Sequence, residues 1–149
     1  MGSGTTLVEA KLLNRNAIGL DINENAVALA NKKLQFSFDS VSQVFIRQAD
    51  AANLAAIKNN SIDFICTHPP YADIIKYSHN LPKDISCLSL NDFLNRIPVV
   101  AKEAYRVLKP GHYCAIMMGD IRRKGQVVPL GFEVMKRFLK QGFCSQEII

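Results

Sequence analysis

Short apolar runs alternate along the chain with stretches whose apolar residues recur at helical spacing. From Thr5 to about Leu13, Leu7, Ala10 and Leu13 share one helical face. Ala17-Ile18-Gly19-Leu20-Asp21 reads as a short buried strand that stops at an acid. Asn23 suits the N-cap of a second helix, in which Val27, Ala30 and Leu34 keep the same spacing. Val44-Phe45-Ile46 is the next apolar run and ends near Asp50. Ile62-Asp63-Phe64-Ile65-Cys66 is another strand and runs directly towards a Pro-Pro pair. From Tyr71 to about Ser86, Pro82 and scattered polar groups predict a long loop with short helical pieces, the kind of loop that often carries function.

Ser89-x-x-Asp92 resembles a capping box, and the helix behind it aligns Leu94, Ile97, Ala101, Ala104 and Leu108. Pro98 should kink that helix or mark its true start. Lys109-Pro110-Gly111 should stop it. Residues 113–118 predict a strand ending at Gly119-Asp120, followed by a basic, glycine-containing loop with Arg122, Arg123 and Lys124. The last helix should cover roughly Pro129 to Lys140, with Val134, Phe138 and Leu139 inward and Gly142 as C-cap. Residues 143–149 should open one more strand. Strands separated by helices predict an α/β fold, a mostly parallel sheet with helices on both faces. Ligands of such sheets bind beyond the carboxyl ends of the strands. Gly2 to Thr6, Asp21, Asp50, His68 to Tyr71 and Gly119-Asp120 all fall there.

Composition narrows the class without changing that picture. With 149 residues, 48% hydrophobic and 21% charged, the chain is the size of one domain with an ordinary soluble balance. No run approaches a membrane span and no signal peptide is visible. Cys66, Cys87, Cys114 and Cys144 are too scattered for a zinc or disulfide framework, so a reducing cytoplasm is expected; Cys66 and Cys114 read as small buried hydrophobes. The net charge of +5 suits a nucleic-acid partner without proving one. Arg122, Arg123 and Lys124 would touch phosphates, or simply form a solvated loop.

The candidate chemistry lies in two segments. Gly2-Ser3-Gly4-Thr5-Thr6 is a glycine turn opening a helix, where free N–H groups and the positive end of the helix dipole favour a ligand. The absence of Gly-Lys-Ser/Thr speaks against a triphosphate loop. Asp21 ends a strand 17 residues after Gly4 and can accept from ribose hydroxyls, or cap the following helix. Asp50 can accept from an adenine amino group, or form a turn. His68-Pro69-Pro70-Tyr71 follows a buried strand that proline cannot continue. It is either a stiff strand exit with Tyr71 in the core or a site.

Together, Gly-Ser-Gly-Thr-Thr, Gly19-Leu20-Asp21-Ile22 and Thr67-His68-Pro69-Pro70-Tyr71 resemble the motifs of S-adenosylmethionine-dependent DNA amino-methyltransferases, which act on adenine N6 or cytosine N4. The resemblance extends to Ala72-Asp73-Ile74-Ile75-Lys76-Tyr77-Ser78, Arg106-Val107-Leu108-Lys109-Pro110-Gly111 and Met118-Gly119-Asp120. It implies a Rossmann-like class I methyltransferase fold, with residues 1–149 as one catalytic domain shortened at its N-terminus. The family's first strand and its Asp-Pro-Phe would precede the turn, where this chain has Met1. S-adenosylmethionine would lie against Gly2, Ser3, Gly4, Thr5, Thr6, Asp21, Ile22, Asp50 and Ala51. His68, Pro69, Pro70 and Tyr71 would handle a base flipped out of the helix, with Tyr71 stacking on it.

Exocyclic amino nitrogens are poor nucleophiles, because their lone pairs are conjugated into the ring. Such a site must align nitrogen and methyl, and accept hydrogen bonds from the amino protons. The family uses Asp, Asn or Ser where this chain has His68. A neutral imidazole offers one acceptor nitrogen, and protonation removes it, so activity should fall as His68 protonates. Alternatively, His68 only fills the position and the Pro69 carbonyl orients the base. Only 17 residues separate Asp50 from the motif, so any sequence-recognition domain would lie outside this chain. Methylation of a guanine amino group in RNA is the runner-up. Methylation of a protein glutamine, or an inactive fragment, are further alternatives.

Overall fold

The computed structural model describes residues 1–78, 81 and 83–149, so the expectation placed on Pro82 lies outside the described residues. The chain divides into two compact units, Met1–Ala51 and Ala52–Ile149.

The first unit follows the predicted order: α1 (Thr5–Leu12), β1 (Ala17–Asp21), α2 (Glu24–Lys33) and β2 (Val44–Gln48). β1 and β2 pair in parallel, from Ala17 opposite Val44 to Asp21 opposite Gln48. Asn23 caps α2 as expected, its side chain accepting from the Asn25 N–H at 2.9 Å. Two glycines let the layers approach. A Cβ on Gly4 would lie 2.6 Å from the Ala30 Cβ, and one on Gly19 would lie 2.3 Å from a Leu7 methyl. Leu7 and Ala30 are buried accordingly, whereas Leu13, expected on the same face, is 69% exposed because the helix ends before it.

The second unit contains β3 (Ile62–Thr67), α3 (Leu90–Val107), β4 (Leu108–Ile116), β5 (Ile121–Arg123), β6 (Gln126–Val128) and α4 (Leu130–Leu139). Short 3-10 turns at Ala72–Ile74 and Ile85–Cys87 interrupt the long connection after β3, as its composition suggested. β3 pairs in parallel with β4. The pairing skips from Ile62–Leu108 to Phe64–Tyr113, so the Lys-Pro-Gly segment bulges out of the ladder inside β4 and does not merely stop a helix. The expected basic loop is instead an antiparallel hairpin, β5–β6. Its two turn residues, Lys124 and Gly125, both have positive φ (50° and 79°), as a type I′ turn requires.

The α/β class with parallel pairing is thus the observed one. The ladder is resolved as two parallel pairs and a hairpin, because β1 and β3 each carry ladder bonds on one edge only among the described residues. Residues 143–149 form no strand. Phe143 instead packs its ring against Tyr105 and Phe138, with centroids 5.2 and 5.3 Å away. Cys66 is exposed, not buried, because the alternation of β3 turns it away from the face used by Ile65.

The core of the second unit joins Phe93, Ile97, Ala101 and Ala104 of α3 to Leu130, Val134 and Phe138 of α4. Leu139 is 38% exposed; Leu130 takes the inward place assigned to it, completing an i, i+4, i+8 stripe. Ser89 caps α3: its hydroxyl accepts from the Asp92 N–H at 3.2 Å and donates to the Asp92 carboxylate at 2.7 Å. Pro98 neither starts nor ends the helix. Lacking an N–H, it leaves the Leu94 carbonyl without its intrahelical donor, and Arg137 of α4 donates Nε–H to that oxygen at 2.8 Å. The helix-breaking residue therefore creates a joint between α3 and α4.

Arg106, near the end of α3, fixes the chain entering β3. Its guanidinium donates to the carbonyls of Leu54 and Ile57 at 2.8 and 2.9 Å, and forks onto Glu103 at 2.8 Å. Glu103 also accepts from the Leu54 N–H at 2.7 Å. The hydrogen bond from Arg106 holds the Glu103 carboxyl well below its usual range, from 4.5 to about 2.

Two outcomes follow from these joints. Arg137→Met should lower stability by about 1–2 kcal/mol, by stranding the Leu94 carbonyl. The loss should shrink in a Pro98→Ala background, where the helix supplies its own N–H; a denaturant double-mutant cycle measures the difference. Glu103 has a depressed folded pKa, so its contribution is complete above about pH 4.5 and is lost as pH falls towards 2. Acid titration of unfolding should show this component in the native chain and not in Glu103→Gln.

Candidate active site

In the first unit, the turn before α1 brings Gly2 to the end of β1. The Gly2 N–H donates to Asp21 Oδ2 at 2.9 Å, and the Asn23 N–H donates to Oδ1 at 3.0 Å. Asp21 thus braces the entrance to α2, and its Oδ2 also meets the Met1 amino group at 3.3 Å. The two turn glycines differ in purpose. Gly4 (φ +82°) is buried against Ala30, whereas Gly2 (φ +57°) borders open space, with nothing within 4 Å of where its Cβ would be. No side chain caps the N-terminus of α1; the Ser3 hydroxyl lies 3.3 Å from that of Thr5, and Thr6 is exposed. The Ala49 N–H donates to the Asp21 carbonyl, and the Gln48 amide donates to the Ile22 carbonyl at 3.0 Å, fixing the strand ends before Asp50 and Ala51.

In the second unit, His68-Pro69-Pro70-Tyr71 leaves the end of β3, alongside the end of β4. The Met117 N–H still donates to the Thr67 carbonyl at 3.0 Å; beyond it the prolines end the ladder. The Tyr71 hydroxyl then gathers the motif. It accepts from the Gly119 N–H at 3.0 Å and lies 3.0 Å from His68 Nε2, with the two rings edge to face. His68 is exposed and the Tyr71 ring is half-buried against the core. If the tyrosine proton goes to Nε2, the outer Nδ1 carries hydrogen. In the other tautomer Nε2 donates to Tyr71, and Nδ1 is the nitrogen free to accept. The acceptor expected of His68 therefore depends on Tyr71.

After Tyr71 comes Ala72, fully buried with φ +50°, a left-handed conformation that costs an alanine about 1–2 kcal/mol. Asp73 follows and forms an ion pair with Arg123 of the hairpin. Sequence reasoning passed over Ala72 and Asp73 as site residues and grouped Arg123 with Arg122 and Lys124 as a phosphate contact. The structure separates them: Arg122 and Lys124 are exposed, while the half-buried Arg123 guanidinium is engaged by Asp73. A Lys-Gly pair between two short β-prone runs was the available signal, since a hairpin alternates its side chains. Burial, with Cys66 adding to it, pushes the Cys114 thiol up to about 11, so it is no nucleophile at neutral pH. Among the described residues no group of three or more His, Cys, Asp or Glu is placed to hold a metal, and no helix is long and apolar enough to cross a membrane.

Residues 1–32, which contain the glycine turn, β1 and most of α2, match the family described as DNA methylase. Over 146 residues the chain is also 27% identical to a tRNA (guanine(10)-N2)-dimethyltransferase of Pyrococcus abyssi, covering 97% of the chain and 40% of that relative. Among solved structures it is similar to an S-adenosylmethionine-dependent methyltransferase of Methanosarcina mazei (TM-score 0.56, 23% identity, 77% of this chain and 47% of that one). A protein of Pyrococcus horikoshii is similar over 93% of the chain and 49% of its own (TM-score 0.56, 18% identity). These likenesses establish the Rossmann-like methyltransferase fold. The chain spans about 40% of the curated relative it matches and about half of each of these structures.

Proposed function

We propose that this chain acts in the S-adenosylmethionine-dependent transfer of a methyl group to an exocyclic amino nitrogen of a DNA base, adenine N6 or cytosine N4. The match of residues 1–32 to the DNA methylases carries this reading, since it covers the turn expected to hold the cofactor.

The residues present fit that cofactor. Gly2 borders the space a side chain would fill, and the uncapped start of α1 offers backbone N–H groups. Gly2 to Thr6 would hold the methionine portion, Asp21 and Ile22 the ribose, and Asp50 and Ala51 the adenine. When bound, the cofactor supplies a sulfonium methyl, which displacement by an amino nitrogen removes.

His68 to Tyr71 would supply the groups that handle an amino nitrogen. The rigid Pro69-Pro70 pair fixes the Pro69 carbonyl as an acceptor for one amino proton. His68 Nδ1 accepts another when Nε2 donates to Tyr71. Drawing on both protons favours a tetrahedral nitrogen with a localised lone pair. Exposed Arg122 and Lys124 suit phosphate contacts that position the nucleic acid without reading its sequence.

A second reading, methylation of a guanine amino group in RNA, is favoured by the tRNA-directed relative, whose similarity runs along nearly the whole chain. The amino-group chemistry would be the same. Incubation with isotopically labelled S-adenosylmethionine and separate DNA and RNA substrates, followed by nucleoside mass spectrometry, tests both readings. The expected product is labelled N6-methyladenine or N4-methylcytosine in DNA. Labelled N2-methylguanine in RNA would select the second reading, and absence of label from every amino group would reject both.

A further inference from the structure

We infer that Arg123 is a positioning residue for the amino-group motif, acting through Asp73 to hold the turn that sets Tyr71; this rests on reading His68 to Tyr71 as the amino-group site.

The chain leaving the motif is tethered at two points, both to the segment following β4. At the first, the Gly119 N–H donates to the Tyr71 hydroxyl at 3.0 Å. At the second, two residues further on, Asp73 meets Arg123. Between the tethers sits Ala72, buried and left-handed. An alanine released from such a conformation relaxes to negative φ, and this rotates the Tyr71 carbonyl and ring together. Ala72 and Ile121, the residue that begins β5, both belong to the buried core of the second unit. Hairpin and motif turn therefore share one core and are joined by an ion pair.

The environment of Arg123 matches this role better than a phosphate contact. Its side chain and that of Asp73 are each 35% exposed, and its Nε is buried with no hydrogen-bond partner among the described residues. Arg122 and Lys124, on either side, are exposed. A cation meant for a nucleic-acid backbone gains nothing from burying a donor, whereas one that fixes a turn is oriented by its surroundings. The hairpin thus separates two tasks by alternation: outward cations face solvent, and the inward one braces the motif.

The test is a double-mutant cycle on the full chain with Asp73→Asn, Arg123→Gln and both together. It reads methyl-transfer kinetics and the Gly119 amide resonance, which reports the hydrogen bond to Tyr71. Each single change should lower kcat about tenfold or more without changing KM for S-adenosylmethionine. Each should shift the Gly119 amide and speed its hydrogen exchange, and the double variant should be no worse than either single one. An unmoved Gly119 amide with unchanged kcat, or losses that multiply in the double variant, would overturn the assignment. Asp73→Asn keeps the side-chain volume and carries the test alone should Arg123→Gln unfold. A native chain that methylates no amino group would reject the proposed function, while the Gly119 resonance still decides whether the pair holds the motif.

Discussion

The Tyr71 hydroxyl is the constraint on which the second unit's site depends. One oxygen accepts the Gly119 N–H and meets His68 Nε2, each at 3.0 Å. It thereby joins the ends of two parallel strands just where prolines have ended their ladder. Without this bond Pro69-Pro70 would still stiffen the strand exit, but the imidazole and the Gly119 N–H would lose their common partner. The bond also links the tautomer of His68 to its chemistry, since the outer nitrogen accepts only when the inner one donates to Tyr71.

The supports around this point follow a common pattern, in which a residue that breaks a backbone rule is answered by a side chain from a neighbouring element. Pro98 removes a donor from α3, and Arg137 of α4 replaces it. Ala72 adopts a left-handed conformation, and the adjacent Asp73 is held by Arg123 of the hairpin. Arg106 and Glu103 satisfy the irregular chain that leads into β3. In the first unit the same logic runs through absent side chains: Gly4 and Gly19 admit Ala30 and Leu7, and Gly2 leaves open the space where a ligand can approach.

Much of this was legible in the sequence, because it rests on local rules. β1 begins and ends where the apolar run does, Asn23 and Ser89 cap the predicted helices, and the Pro-Pro pair stands at a strand end. What escaped depended on pairing between distant residues. The hairpin looked like a basic loop because its cations alternate in direction only once β5 and β6 pair. Pro98 looked like a boundary because the residue that compensates for it lies 39 positions further on. The last segment has strand-like residues, but Phe143 is held by aromatic packing and not by a ladder. Tyr71 was legible as part of a Pro-Pro-Tyr motif, but its place as the hydrogen-bonding centre of its own loop depends on His68 and on the distant Gly119.

The most direct measurement is methyl-transfer kinetics of Tyr71→Phe, which keeps the ring and removes only the hydroxyl. The expected result is a folded protein with unchanged affinity for S-adenosylmethionine and a kcat reduced by about tenfold or more, because His68 and Gly119 lose their common partner. A Tyr71→Phe chain with the native kcat would contradict it.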